Sequence, residues 1–319
     1  MSKNSAPEGI ILCVLASLAW GGLAVAVQFM FEFGGMKAAE LSAIRLVTAG
    51  ALFVIVGFAF RVRNFTFPFK SVKYFVRAAI CGVLIYFAHL TFFLSVYYSN
   101  AGSGAIYLAT TPLIASVWLA MTERRPLKAY EAAAVLVVIA GVSLVVTDGD
   151  FSRLKFSPLS IFWGLASAVC SVAYALYPRR LMFEEGVTPV VSWSMFFGGI
   201  AASIVSPPWL IKVSWTLPMA LDFAYIVLFG TMFAFWCYLK SLTLISPVHA
   251  TMIGTVEPAS AFVFGAILFT APVGPWQTLG VVVVLATVLL FSLRTAKTRA
   301  EGRIKERARI TREAPRHDR

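Results

Sequence analysis

Charge is scarce in this chain. Of its 319 residues, 13% are Asp, Glu, Lys or Arg, about half the share of an ordinary soluble domain, which excludes a water-covered globule. Cysteine is rare as well. Cys13, Cys81, Cys170 and Cys237 all fall inside long apolar runs with no close-pair spacing, so they read as small packing residues and exclude a disulfide framework or a zinc site. No Gly-rich phosphate-binding loop is present, which excludes ATP hydrolysis on this chain. The acids are scattered, and Asp148-Gly149-Asp150 reads as a turn. A membrane-embedded lipid-modifying enzyme would instead cluster His, Asp, Glu or Cys near one interface. No cofactor and no metal is called for.

What the chain does have is apolar sequence, 59% of its residues, with a mean hydropathy of +0.82. The apolar residues fall in blocks of about 20, the length a helix needs to cross roughly 30 Å of hydrocarbon. Ten spans follow: Gly9–Gln28, Ala38–Phe60, Tyr74–Tyr98, Gly102–Met121, Ala129–Thr147, Leu159–Tyr177, Val187–Pro207, Pro218–Leu242, Val248–Phe269 and Trp276–Leu293. The run after the short, weakly charged Met1–Glu8 is as long as a full span, so it is expected to act as an uncleaved signal anchor.

The stretch Ser99–Pro126 recurs without a gap as Ile245–Pro272, aligning Thr111-Pro112 with Glu257-Pro258 and Pro126 with Pro272. A second anchor agrees, since Leu15-Ala16-Ser17 matches Leu165-Ala166-Ser167. The chain is therefore a duplication. Each half holds an odd number of spans, so the second enters the membrane in the opposite sense, as in many secondary transporters. The expected fold is all-α and polytopic: ten transmembrane helices in two inverted five-helix repeats around a central cavity. Residues 9–147 form the first repeat and 159–293 the second; 1–8 is a short N-terminus, 148–158 a linker and 294–319 a basic tail.

Lys and Arg collect on one set of loops, including Arg61, Arg63, Lys70, Lys73, Arg77, Arg124, Arg125, Lys128, Arg179 and Arg180. This asymmetry places both termini in the cytoplasm. The formal charge of +12 raises the question of nucleic acid, but ten basic and four acidic residues of Arg294–Arg319 supply half of it. That tail reads first as a solvated stop-transfer segment, and second as a polybasic contact with anionic lipid. Neither a nucleic acid nor an obligate protein partner is needed.

Several pieces, in this order and spacing, carry a family resemblance: Ala19-Trp20-Gly21-Gly22, Ala43-Ile44-Arg45-Leu46, Thr111-Pro112 followed by Thr122-Glu123-Arg124, and Val256-Glu257-Pro258-Ala259. The chain resembles the EamA-type branch of the drug/metabolite transporter superfamily from Gly9 to Leu293. The resemblance implies two inverted repeats enclosing a central cavity, in the cell (inner) membrane, with export of amino acids or other small metabolites as the commonest activity. One departure stands out. The turn after the fourth span, Thr122-Glu123-Arg124, is replaced after the ninth by Phe269-Thr270-Ala271, which puts symmetric gating in question.

Glu257 is the sharpest site candidate. A carboxylate inside an apolar span costs about 2.5–3.5 kcal/mol on insertion scales and needs a partner, a proton or a water-filled cavity. Pro258 follows it, lacks an N–H and is expected to free the carbonyl of Gly254; Pro112 marks the matching break in the fourth span. Glu257 is either a proton-coupling group or a structural pin bonded to Thr251 or Thr255. Arg45 lies two turns inside the second span. It suits a substrate carboxylate, but its nearness to the span end favours snorkelling or an ion pair with Glu40. Tyr86 and His89 share one face of the third span, where a lone histidine more often bonds a neighbouring helix than relays a proton. Trp20, Tyr107 and Trp236 neighbour small or polar residues, and with Tyr86 are expected to line an aromatic path for substrate.

The function expected is secondary active transport by alternating access, probing first for amino acids. Nucleotide sugars, phosphorylated metabolites, nucleobases, vitamins and drugs are the alternative solutes. Dianionic phosphates would call for several deep Lys or Arg residues, and only Arg45 lies even moderately deep.

Overall fold

The computed structural model describes residues 5–122, 124, 126, 129–150, 157–245, 253–254, 256–270, 273–291 and 293–294. The expected start of the ninth span at Val248 and the basic tail beyond Arg294 lie outside these residues. Helix α1 spans Ser5–Glu32, α2 Ala38–Ala59, α3 Val72–Tyr97, α4 Ala101–Leu108, α5 Thr111–Thr122 and α6 Ala129–Thr147. In the second half, α7 is Pro158–Leu176, α8 Arg179–Glu185, α9 Val187–Val205, α10 Leu217–Val227, α11 Ala234–Leu244 and α12 Val256–Leu268. The last helix, α13, covers Pro275–Phe291.

The ten expected spans are all represented; the fourth carries the break expected beside Pro112, and the eighth departs from a plain α-helix. The fourth is not one helix: it breaks at Ala109-Thr110 into α4 and α5, because Pro112 cannot donate to the carbonyl of Leu108 four residues earlier. The Thr111 hydroxyl takes that carbonyl instead, at 2.5 Å. The eighth runs continuously from α10 into α11, but its middle, Leu228–Phe233, is wound as a π-helix.

The inverted repeat is visible in the packing. Neighbouring spans form a closed ring in the order first, ninth, fourth, sixth, third, seventh, second, eighth. Exchanging each span for its counterpart five places away reproduces this order. The second packs on the seventh and the fourth on the ninth, so at these seams a helix meets its own copy. The same holds for the fifth and tenth, joined through Val138, Val145, Val281 and Val284. There the backbones nearly touch: a Cβ on Gly280 would sit 2.6 Å from the carbonyl oxygen of Gly141.

At the end away from the chain termini the ring is filled. Ala24, Val27 and Met30 of α1, Leu41 of α2, Phe92 and Phe93 of α3, Ala105 of α4, and Met219 and Ile226 of α10 form one buried cluster there. On the terminus side the halves are tied by charge. Lys70 meets Glu185 at 2.5 Å, and Arg77 and Arg180 share Glu184 at 3.1 and 2.8 Å. Beside them, Trp193 Nε1 donates to the carbonyl of Phe65 at 2.7 Å.

The loops after the fourth and ninth spans share one backbone feature among the described residues. Arg124 and Thr270 are equivalent positions of the repeat, and both adopt positive φ, 50° and 47°.

Candidate functional site in the helix ring

Burial of polar groups marks out a candidate site. Among the described residues, seven buried side-chain polar atoms have no hydrogen-bond partner, on Ser42, Arg45, Tyr86, His89, Ser103, Tyr107 and Asp222. Buried polar atoms are nearly always paired, so such a set is a candidate place for a polar solute. All lie on the second, third, fourth and eighth spans.

Arg45 is central to this set. Its side chain is 1% exposed, so the expected snorkelling does not occur. Nor does it pair with Glu40, whose carboxylate accepts from the backbone N–H of Lys37 at 2.9 Å and so caps α2. The guanidinium points inward instead. Nε donates to Thr231 Oγ1 at 3.0 Å, the head lies 5.3 Å from the centre of the Phe93 ring, and Nη1 is unpartnered. Thr231 lies in the π-wound middle of the eighth span, so a residue rooted near one end of the second span delivers its charge toward the centre of the ring. A π-turn inside an α-helix is frequently a functional feature.

His89 on α3 lies within range of the Arg45 charge. Its Nδ1 is buried without a partner, so the expected bond to a neighbouring helix is not made through that atom. Tyr86, one turn earlier, packs among Ala43 and Leu46 of α2 and Ala202 of α9 with its hydroxyl free. Tyr107 is fully buried against Gly164 of α7. Its hydroxyl and that of Ser103, one turn away, are both unpartnered.

A second group surrounds Glu257. The residue is half-buried in the first turn of α12, within range of Tyr238 on α11. Tyr238 meets Trp20 in a tilted contact at 5.2 Å, and Phe235 meets the same indole edge-on at 5.4 Å. The Gly254 carbonyl, expected to be free, accepts from the backbone N–H of Glu257 at 3.2 Å, a tightened turn that compensates for Pro258. Thr251 and Thr255 lie outside the described residues. Trp236 is not brought to either group. It is 58% exposed, because its neighbours Phe235 and Tyr238 occupy the face that meets α1, and it drops out of the expected path.

Asp222 was not singled out by the sequence reasoning above. It sits on α10 beside Tyr225, and Oδ2 is buried and unpartnered. Tyr225 reaches across to the carbonyl of Ala19 on α1 at 3.2 Å. The signal was present in the sequence: an acid inside Leu217–Val227, an otherwise apolar stretch.

Comparison with known proteins decides the family. Residues 7–147 and 158–293 each match the EamA-like transporter family. The chain belongs to the EamA-like transporter family. It is 32% identical over 302 residues to the uncharacterized inner membrane transporter YicL of Salmonella typhimurium, covering 91% of this chain and 97% of the relative. It is 24% identical to the uncharacterized transporter YwfM of Bacillus subtilis over 80% of this chain and 84% of that one. A protein of known crystal structure, 15% identical, superposes with a TM-score of 0.62 over 92% of this chain and 99% of its own, a likeness of fold alone. This EamA-like chain is a multi-pass membrane transporter.

Proposed function

We propose that this transporter is secondary active and exports small carboxylate-bearing metabolites, amino acids first among them, across the inner membrane by alternating access, with both termini cytoplasmic. The supporting observation is Arg45. A buried cation without a counter-ion is costly in a membrane, and a solute carboxylate supplies both the charge and the acceptor that Nη1 lacks. Among the described residues Arg45 is the one Lys or Arg in the buried core, which favours a singly charged or zwitterionic solute over a dianionic phosphate. His89 and Tyr86 extend the polar wall beside it, and Phe93 offers an aromatic face.

Energy comes from a solute or proton gradient. Glu257, in the first turn of α12 beside Pro258, is the first candidate for the coupling group, and Asp222 the second. The experiment is uptake of a labelled amino-acid panel into proteoliposomes, with and without an imposed pH gradient, for wild type, Glu257→Gln and Asp222→Asn. Saturable flux that loses its pH response in one variant supports coupling through that carboxylate. A folded protein that moves no panel member removes the amino-acid assignment.

A further inference from the structure

A cavity lies away from Arg45 and Glu257, between the fourth, fifth and sixth spans. Its volume is about 640 Å³, within the range of about 300–1,000 Å³ that holds a small ligand. Leu113 of α5, Val138 of α6 and Leu165 of α7 form its walls. Three lining residues carry hydroxyls, and all three protons are committed to their own helices. Thr110 donates to the carbonyl of Tyr107 at 2.7 Å, Ser143 to that of Ile139 at 2.8 Å, and Thr147 to that of Ser143 at 2.8 Å. No lining atom is among the unpartnered buried groups. The cavity thus offers a polar solute or a water no donor, and water needs two to four polar partners to occupy such a site.

Its mouth faces the bilayer. Ile139 and Leu165 on its walls are 57% and 41% exposed, and Leu136 and Phe162 just outside are 67% and 60% exposed. In a chain of ten apolar spans that surface is covered by lipid. The cavity runs along α6 from Val135 to Thr147 and meets Ile161 near the start of α7, so it reaches from the end away from the chain termini inward past the midplane, to Val135 and to Val117 of α5. Two of its walls belong to the first repeat and one to the second, and Thr110 in its lining is part of the break in the fourth span.

We propose that this cavity binds one acyl chain of a phospholipid from the leaflet away from the termini, inserted at the seam between the two repeats. Burial of its methylenes drives binding, and the lipid headgroup stays at the interface, where α6 ends and α7 begins. Because the tail contacts both repeats beside a helix break, its occupancy changes with any rocking of one repeat against the other. This inference does not depend on the identity of the transported solute.

The test uses nanodiscs containing phosphatidylethanolamine with a photoactivatable diazirine in its acyl chain, irradiated and mapped by mass spectrometry. Adducts on Leu113 and Val138 are expected to exceed by several-fold those on Ile55 and Ile204, which are 62% and 80% exposed on other spans. Val142→Phe and Ile139→Trp each fill the cavity from a different wall position, so either folded variant serves. Each is expected to lose the Leu113 and Val138 adducts while keeping those on Ile55 and Ile204. Adducts no more frequent in the cavity than on Ile55, or cavity adducts at wild-type level in a folded filling variant, overturn the proposal.

Discussion

Arg45 Nε donates to Thr231 Oγ1 at 3.0 Å while that hydroxyl donates to the carbonyl of Ile226 at 2.8 Å, five residues back at the end of α10. The second span's cation is thereby aimed by the middle of the eighth. The widened turn supplies the hydroxyl position and α10 its acceptor, so removing the hydroxyl releases the guanidinium without changing its charge.

Thr231→Val keeps the side-chain shape and removes that bond. One hydrogen bond to a charged group is worth about 1.5–3 kcal/mol, so the half-saturating solute concentration is expected to rise roughly ten- to a hundredfold while the maximal rate changes less. Flux against solute concentration in proteoliposomes measures this, and an unchanged half-saturation would show that Thr231 does not aim Arg45.

Arg45→Met separates function from folding. The methionine fills the stem's volume and removes a buried charge that has no ionic partner, a change that is often neutral or stabilising. Thermal unfolding in detergent is expected at the wild-type temperature or above it, while solute flux falls at least tenfold. A fall in unfolding temperature together with flux would mark Arg45 as structural.

The fifth and tenth spans cross where neither tolerates a side chain. A Cβ at Gly280 would meet the Gly141 carbonyl oxygen at 2.6 Å and the Val145 nitrogen at 2.9 Å, and backbone atoms cannot turn aside. Gly280→Leu is expected to cost about 1–3 kcal/mol, the usual range for overpacking, read as a lower unfolding temperature. Leu290→Ala, at a position 65% exposed on the same helix, serves as the control and leaves the unfolding temperature near wild type.

On the terminus side, hydrogen bonds from Arg180 and Arg77 hold the Glu184 carboxyl below its ordinary value. A carboxylate whose affinity for protons falls on folding stabilises the fold above its unfolded pKa and loses that contribution as pH drops through its folded pKa. Glu184→Gln is therefore expected to lower the unfolding temperature at neutral pH, with the difference from wild type shrinking once the medium is more acidic than the ordinary carboxylate range. High salt is expected to shrink it too, since these groups are partly exposed. A difference independent of both pH and salt would contradict an ionic tie.

The membrane architecture was legible because its physics is local. Apolar runs of bilayer length, an odd number per half and the aligned Thr111-Pro112 and Glu257-Pro258 set spans, inversion and helix breaks without any knowledge of contacts. The site was legible only by residue type. Arg45, Tyr86, His89 and Tyr107 were recognised as polar groups in apolar helices, but where each side chain points is a tertiary property. Depth along a span suggested that Arg45 reaches outward, whereas the Thr231 hydroxyl and the Phe93 ring hold it inward. The π-turn has no comparable sequence mark, and Trp236 was expected in the path although the face of its helix that meets α1 carries Phe235 and Tyr238. Asp222 was overlooked because no repeat partner or motif drew attention to it.

The central claim is that Arg45 recognises a solute carboxylate, and competition with matched analogues tests it most directly. For an amino acid that the reconstituted wild-type protein transports, uptake is measured against the unlabelled amino acid, the same molecule without its amino group, and the amine that lacks only the carboxylate. Strong competition by both carboxylates and at least tenfold weaker competition by the amine is the predicted result. Competition by the amine as strong as that by the amino acid would contradict the account.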